Sequence, residues 1–259
     1  MDIIEKFTNM DKHFKEIEEK TELLSTYSSD GYLVLRLDGI GLSKKYLKDS
    51  IRSKRFEGLM WETMDETFQA LHRKCPHDSQ NIILGAIICS DEVSIILSNI
   101  PNYYDNRIMK VLTTFVSTYT HFFTLIGMKR ASKKNKQFII GSFDGRALLL
   151  NDLDEVSDYI KHRYAVGIRN SLTKLVRLSG TAEDEEIYGN ENFNNLTYIF
   201  KKLSVLDSSD DMLAVFQSPI VFVSNEKELI NSRFESIDEL STWINNGLKE
   251  QQAWLEKFV

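Results

Sequence analysis

The chain has 259 residues, 42% of them apolar and 27% charged, with 12 Gly and 3 Pro, which excludes both a disulfide-stapled miniature and a disordered or fibrous chain. A net charge of -6 excludes a surface coated in basic residues, so any affinity for nucleic acid has to come from a local basic face. No apolar run reaches the roughly 18 to 20 residues of a membrane-spanning helix, the first residues lack a basic and apolar leader, and Cys75 and Cys89 allow at most one bridge, so a cytoplasmic protein is expected.

Residues 3 to 24 carry Ile4, Phe7, Phe14, Ile17 and Leu23 at a rough helical period, and the turn-forming run Ser28-Ser29-Asp30-Gly31 follows. Tyr32 to Leu37 is a short apolar run ending at Asp38-Gly39 and reads as a strand. From Phe56 to His72, Leu59, Met60, Met64, Phe68 and Leu71 recur at spacings of three and four, the mark of an amphipathic helix. The β-branched runs Ile82 to Ile88 and Val93 to Leu97, separated by Cys89-Ser90-Asp91-Glu92, predict a hairpin. After Pro101, Arg107 to Ile126 is a long apolar helix, and Gln137 to Ser142 is predicted to return as a strand closed by Phe143-Asp144-Gly145-Arg146. This order is that of a split βαββαβ unit: an α+β palm with an antiparallel sheet and helices on one face. Beyond it come a helix over Leu153 to Leu178, an acidic loop from Ala182, a late hairpin pairing Met212 to Phe216 with Ile220 to Val223, and a closing helix bearing Ile237, Leu240, Ile244 and Leu248. The expected organisation is a single domain over 1–259, with a palm core of about 30–150 and a helical C-terminal elaboration of about 151–259.

The hairpin places Asp91 at its tip and the first strand places Asp38 at its end. If the two strands are neighbours, both carboxylates meet at one edge of the sheet, beside the turn Gly39-Ile40-Gly41, whose N–H groups can cradle phosphate. Such a pair suits two Mg2+ ions about 4 Å apart holding a nucleoside triphosphate. Taken singly, Asp-Gly after a strand also serves as a plain turn and Ser-Asp-Glu as a polar hairpin tip. Phosphate-loop, dinucleotide-fingerprint and zinc-ligand spacings are absent from the sequence. Two stretches are locally basic, Lys44 to Arg55 and Lys129 to Lys136, and both also suit solvated surface.

Five separated motifs carry a resemblance. Arg36-Leu37-Asp38-Gly39, Ser90-Asp91-Glu92, Arg107-Ile108-Met109-Lys110, Phe143-Asp144-Gly145-Arg146, and Arg163 with Arg169-Asn170-Ser171 stand in an order and spacing that resembles the tRNA-His guanylyltransferase family over about 11–180. The likeness is greatest to its bacterial, archaeal and phage branch of 3′-to-5′ polymerases. The resemblance implies a palm that adds nucleotides to the 5′ end of tRNA or a related RNA. The chemistry it implies is activation of a 5′ monophosphate by ATP, attack on that activated end by the 3′ hydroxyl of an incoming nucleotide such as GTP, and a separate removal of pyrophosphate. It implies Asp38 and Asp91 as ligands of two Mg2+ ions, with the Gly39 carbonyl completing one sphere. Ser90 and the turn Ile40, Gly41, Leu42 and Ser43 would touch nucleotide, and Arg107 with Lys110 would face triphosphate. Arg163, Arg169 and Asn170 would lie near the RNA 5′ end, and the assembly would be a homotetramer. The chain departs from the family pattern at Ile168-Arg169-Asn170-Ser171, where eukaryotic members read His-Ile-Asn-Asn, at Cys89 and Val166, and in lacking a Lys-Pro-x-Asp loop between Lys48 and Phe56. Two rival readings are a palm nucleotidyltransferase making a small nucleotide product and a tRNA-binding module whose site no longer catalyses.

Overall fold

Strand β1 (Tyr32–Gly39) is the axis on which the rest is built. The structure, a computed structural model, describes residues 2–28, 30–42, 54–74, 81–99, 102–134, 138–189, 199, 215, 217–225, 228–234 and 236–255. β1 is flanked on one side by β3 (Glu92–Leu97) and on the other by β4 (Phe143–Leu150), both antiparallel. β2 (Ile83–Cys89) pairs with β3, and β5 (Ile220–Ser224) and β6 (Leu229–Ser232) continue outward, so the sheet runs β4-β1-β3-β2-β5-β6.

Alternation along β1 sorts its residues into two faces. Leu35 and Leu37 point to one side, where α3 (Lys54–Leu71) and α4 (Ile108–Lys134) pack against the sheet. Phe56, Met60, Met64 and Phe68 of α3 and Phe115, Tyr119 and Phe123 of α4 are fully buried there. Thr63 and Thr67 sit on the same buried face because their hydroxyls bond back to Leu59 O and Thr63 O at 2.7 Å. Tyr119 and Phe123 meet Phe143 edge-on at 4.9 and 5.1 Å, locking α4 to the start of β4. By length and composition α4 could cross a bilayer, yet its aromatic stripe lies beneath the sheet, as in a core helix.

Arg36 and Asp38 point to the other face. There α2 (Asp11–Glu22) and α5 (Leu153–Ser179) lie over the sheet, the latter flanked by α1 (Asp2–Thr8) and α7 (Ile237–Leu255). Helices therefore cover both faces, where the sequence pattern suggested one. α5 starts on Asp152, whose Oδ1 accepts from Glu155 N at 2.8 Å, and ends at Gly180 with φ +70°; the short α6 (Asp184–Gly189) then stands in the predicted acidic loop.

Three other expectations are corrected. β4 occupies 143–150, not 137–142, so Asp144 lies inside a strand directly opposite Asp38. The late hairpin joins β5 to 229–232; of its predicted arm Met212 to Phe216 only Val215 falls within the described residues. The C-terminal part is not purely helical, because β5 and β6 extend the same sheet, with Gly85 lacking a Cβ where Phe222 O would stand 2.4 Å from it.

Candidate active site

The end of β1 and the β2–β3 hairpin tip are tied together by one backbone bond, Gly39 N donating to Asp91 O at 3.1 Å. The hairpin turns at Ser90 with φ +62°, and Asp91 is buried beside it. In register, Asp38 faces Glu92 on one neighbour and Asp144 on the other, so three carboxylates share one face of three adjacent strands, with Asp91 next to them. Asp38 keeps a solvent-facing side. Partial burial, then the charges of Glu92, Asp91 and Asp144, push its carboxyl up to about 6, against the pull of Arg36.

The surrounding cations are committed in different ways. Glu18 of α2 is buried between Arg36 and Arg146, each 3.0 Å from one of its oxygens, which satisfies the row next to the carboxylates. Glu92 receives Arg163 of α5 in a two-pronged pair, Nε to Oε1 at 2.8 Å and an outer nitrogen to Oε2 at 2.6 Å. Lys174, one turn beyond Asn170 on α5, donates to Ser90 Oγ at 2.5 Å and lies 3.9 Å from Asp91 Oδ1. Burial pulls its ammonium down from the ordinary range, and Asp91 and Asp38 draw it back up. Asp38 and Asp144 are thus the open members of the group, Asp38 bordered by the exposed turn at Ile40 and Gly41.

Comparison with known proteins fits this arrangement. The family model of tRNAHis guanylyltransferase matches residues 11–151, which is more than half of the chain and holds both Asp38 and Asp91. The chain belongs to the tRNAHis guanylyltransferase family. Its members are nucleotidyltransferases acting on tRNA, and this chain is an enzyme of that type. Among solved structures, a bacterial tRNA(His) guanylyltransferase-like protein in complex with ATP is 17% identical, with a TM-score of 0.58 over 90% of this chain and 98% of its own. A bacterial guanylyltransferase-like protein in complex with GTP is 15% identical, TM-score 0.58, over 92% and 99%. The tRNA(His) guanylyltransferase from Saccharomyces cerevisiae is 18% identical, TM-score 0.58, over 85% and 97%. At such identities the likeness speaks for the fold. No curated protein matches the chain.

Within this guanylyltransferase fold the residues singled out from the sequence separate. Asp38, Gly39, Ser90 and Asp91 come together, and Ile40 and Gly41 border them. Leu42 does not offer its side chain to a nucleotide: it is 2% exposed and closes over Gly39 and Gly141, whereas Ile40 is 61% exposed. Ser43 and the basic run 44–53 lie outside the described residues, as do 135–137. Arg163 is buried as the partner of Glu92; Asn170 is exposed and Arg169 half-buried on the same helix.

Arg107 and Lys110 stand at the other end of the sheet. Thr26 pairs with Arg107 and Tyr27 N donates to Asn106 O at 3.0 Å, both before β1 begins, while Asp38 stands near its end, about 20 Å along the strand. There Arg107 meets Asp105 at 3.4 Å and Lys110 lies over the Tyr104 ring at 5.0 Å. A cleft lined by His72, Arg73, Lys74, Tyr103 and Tyr104 is at that far end as well.

Two residues of the site escaped the sequence reading. By sequence Asp144 suits a turn or a pair with Arg146, and only the register of β4 sets it opposite Asp38. Lys174 carries no motif signal beyond sharing a helix face with Asn170 at a spacing of four.

Proposed function

We propose that the protein adds nucleotides in the 3′-to-5′ direction to the 5′ end of tRNA or a related structured RNA, with ATP and GTP as substrates and Mg2+ as the required cation. The observation that carries the reading is the convergence of Asp38, Asp91 and Asp144 at one sheet edge, beside a solvent-facing turn. Like charges gathered in that way hold the Asp38 carboxyl above its usual range and favour a cation. The donors are all oxygens, and among the described residues no group of three or more His, Cys, Asp or Glu side chains is placed to hold a metal ion, so two carboxylates are the most this edge offers a cation. That suits a hard cation held by one or two carboxylates and the phosphates of its substrate. Asp38, Asp91 and the Gly39 carbonyl would hold Mg2+, which when bound neutralises charge on the transferring phosphoryl group and promotes ionisation of the attacking hydroxyl.

The chain's own groups supply the rest. Gly41, at φ +68° and with no atom of the described residues within 4 Å of a Cβ built on it, suits a turn after β1 whose backbone phosphate oxygens would approach. In this reading Asn170 and Arg169, on the turn of α5 before Lys174, would meet an RNA 5′ end near the carboxylates. Arg107 and Lys110 reach a triphosphate at such a site only from a second copy of the chain, which is how the homotetramer suggested by resemblance enters this reading. The test is incubation with 5′-monophosphorylated and 5′-triphosphorylated tRNA, Mg2+ and all four labelled nucleotides. Lengthening of the RNA at its 5′ end is the expected result. A soluble labelled product formed without RNA would replace the reading with small-product synthesis, and no product of either kind would leave a tRNA-binding module.

A further inference from the structure

Lys174 is bound into the site by a chain of polar contacts with a fixed direction. Its Nζ lies 2.5 Å from Ser90 Oγ, and Ser90 Oγ lies 3.1 Å from Asp91 Oδ1. An ammonium has only donors, so the serine hydroxyl accepts from Lys174 and directs its single proton at Asp91. The same lysine nitrogen is 3.9 Å from that carboxylate oxygen. α5 comes this near to the hairpin because residue 167 is glycine: a Cβ there would stand 2.8 Å from Cys89 Sγ and 3.1 Å from Cys89 Cβ. Only 16% of the Lys174 side chain and 10% of the Asp91 side chain are exposed, so solvent screens the pair weakly.

We propose that Lys174 is a built-in rival of the divalent cation at Asp91, making cation binding conditional on a nucleotide. The inference rests on the cation reading above and goes beyond it. An ammonium and a divalent ion held by one carboxylate repel each other, so the empty site, already balanced by Lys174, binds a bare cation poorly. A triphosphate brings negative charge enough to accommodate both, and the cation's affinity then rises with the nucleotide's by linkage. Lys174 acts through Asp91 and is a positioning residue.

The test uses Mn2+ as the probe, with the full-length protein free of RNA, and reads unbound Mn2+ by electron paramagnetic resonance. Lys174→Gln keeps a donor for Ser90 and removes the charge, and Lys174→Arg keeps the charge. The glutamine variant is expected to bind Mn2+ about 10-fold more tightly than the parent, and the arginine variant to match the parent. A non-hydrolysable GTP analogue should narrow the gap between parent and glutamine variant. Equal or weaker Mn2+ binding by a folded Lys174→Gln protein, with the parent binding measurably, would sink the role of the lysine alone. If neither parent nor variants bind Mn2+ even with the analogue present, the cation reading of Asp38 and Asp91 falls, and this inference with it.

Discussion

Replacing Asp38 by Asn should stabilise the cation-free protein at neutral pH. The Asp38 carboxyl is raised from 3.8 to about 6 in the folded chain, so between those values the folded state holds a proton that the unfolded state has released. The stability this contributes is complete below about pH 4 and is lost as the pH rises through about 6, leaving Asp38 a net cost above it. Taken at face value the shift corresponds to about 3 kcal/mol, and solvent at the open side of the carboxyl reduces this to about 1 kcal/mol. For a chain of this size that is a rise in Tm of about 2–4 °C. Thermal melts in EDTA should therefore show Asp38→Asn above the parent by that amount at pH 7.5, with the gap closing by pH 4. The difference between the two proteins is the quantity to read, because every other carboxylate titrates in both. Millimolar Mn2+ should then raise the parent's Tm and leave the variant's nearly unchanged. A variant that melts below the parent at pH 7.5 in EDTA, or a gap that does not change with pH, would refute the view that crowded negative charge controls this residue.

Arg163→Ala should be costly to the fold, because it leaves Glu92 half-buried without its two-pronged partner: about 3 kcal/mol, read as a fall in Tm of roughly 6–12 °C. A parental Tm together with lost RNA binding would instead return Arg163 to the RNA-facing role suggested by its motif. If Arg107 and Lys110 serve a neighbouring copy, an Asp38→Asn chain mixed and reassembled with an Arg107→Ala/Lys110→Ala chain should regain about a quarter of the parental nucleotide addition, since only mixed contacts build a whole site. No recovery would leave these cations on the face where Asp105 and Tyr104 hold them.

Most of the palm was legible because its signals are local and mutually consistent. β1 ends where an apolar run meets Asp-Gly, α3 follows spacings of three and four, and the β2–β3 hairpin is two β-branched runs around a polar tip. β4 was misplaced for a physical reason. Phe138, Ile139 and Ile140 look like a strand, but only Ile139 is buried, while Asp144-Gly145 looks like a turn and lies within the strand. Gly145 is there for packing: a Cβ would stand 2.4 Å from Val116 Cγ2 and 3.0 Å from Leu112 Cδ1, so the glycine lets α4 lie against β4. The β5–β6 hairpin has no glycine at its turn. It closes through Asn225, whose Oδ1 accepts from Glu228 N at 2.9 Å, a device that composition alone does not announce.

The site divides along the same line. Asp38 and Asp91 stand beside structural punctuation, a strand end and a hairpin tip, and were found there. Arg163 and Lys174 lie eleven residues apart on one helix, and nothing in that spacing distinguishes their partners. Arg163 reaches the first residue of β3 and Lys174 the turn just before it, so one helix neutralises Glu92 and Asp91, adjacent in sequence, from one side of the sheet. What remain open are Asp38, on the neighbouring strand, and Asp144 beyond it. The helix thus confines the excess negative charge to the edge nearest the Ile40–Gly41 turn, where a cation arriving with a nucleotide would meet the open carboxylate first.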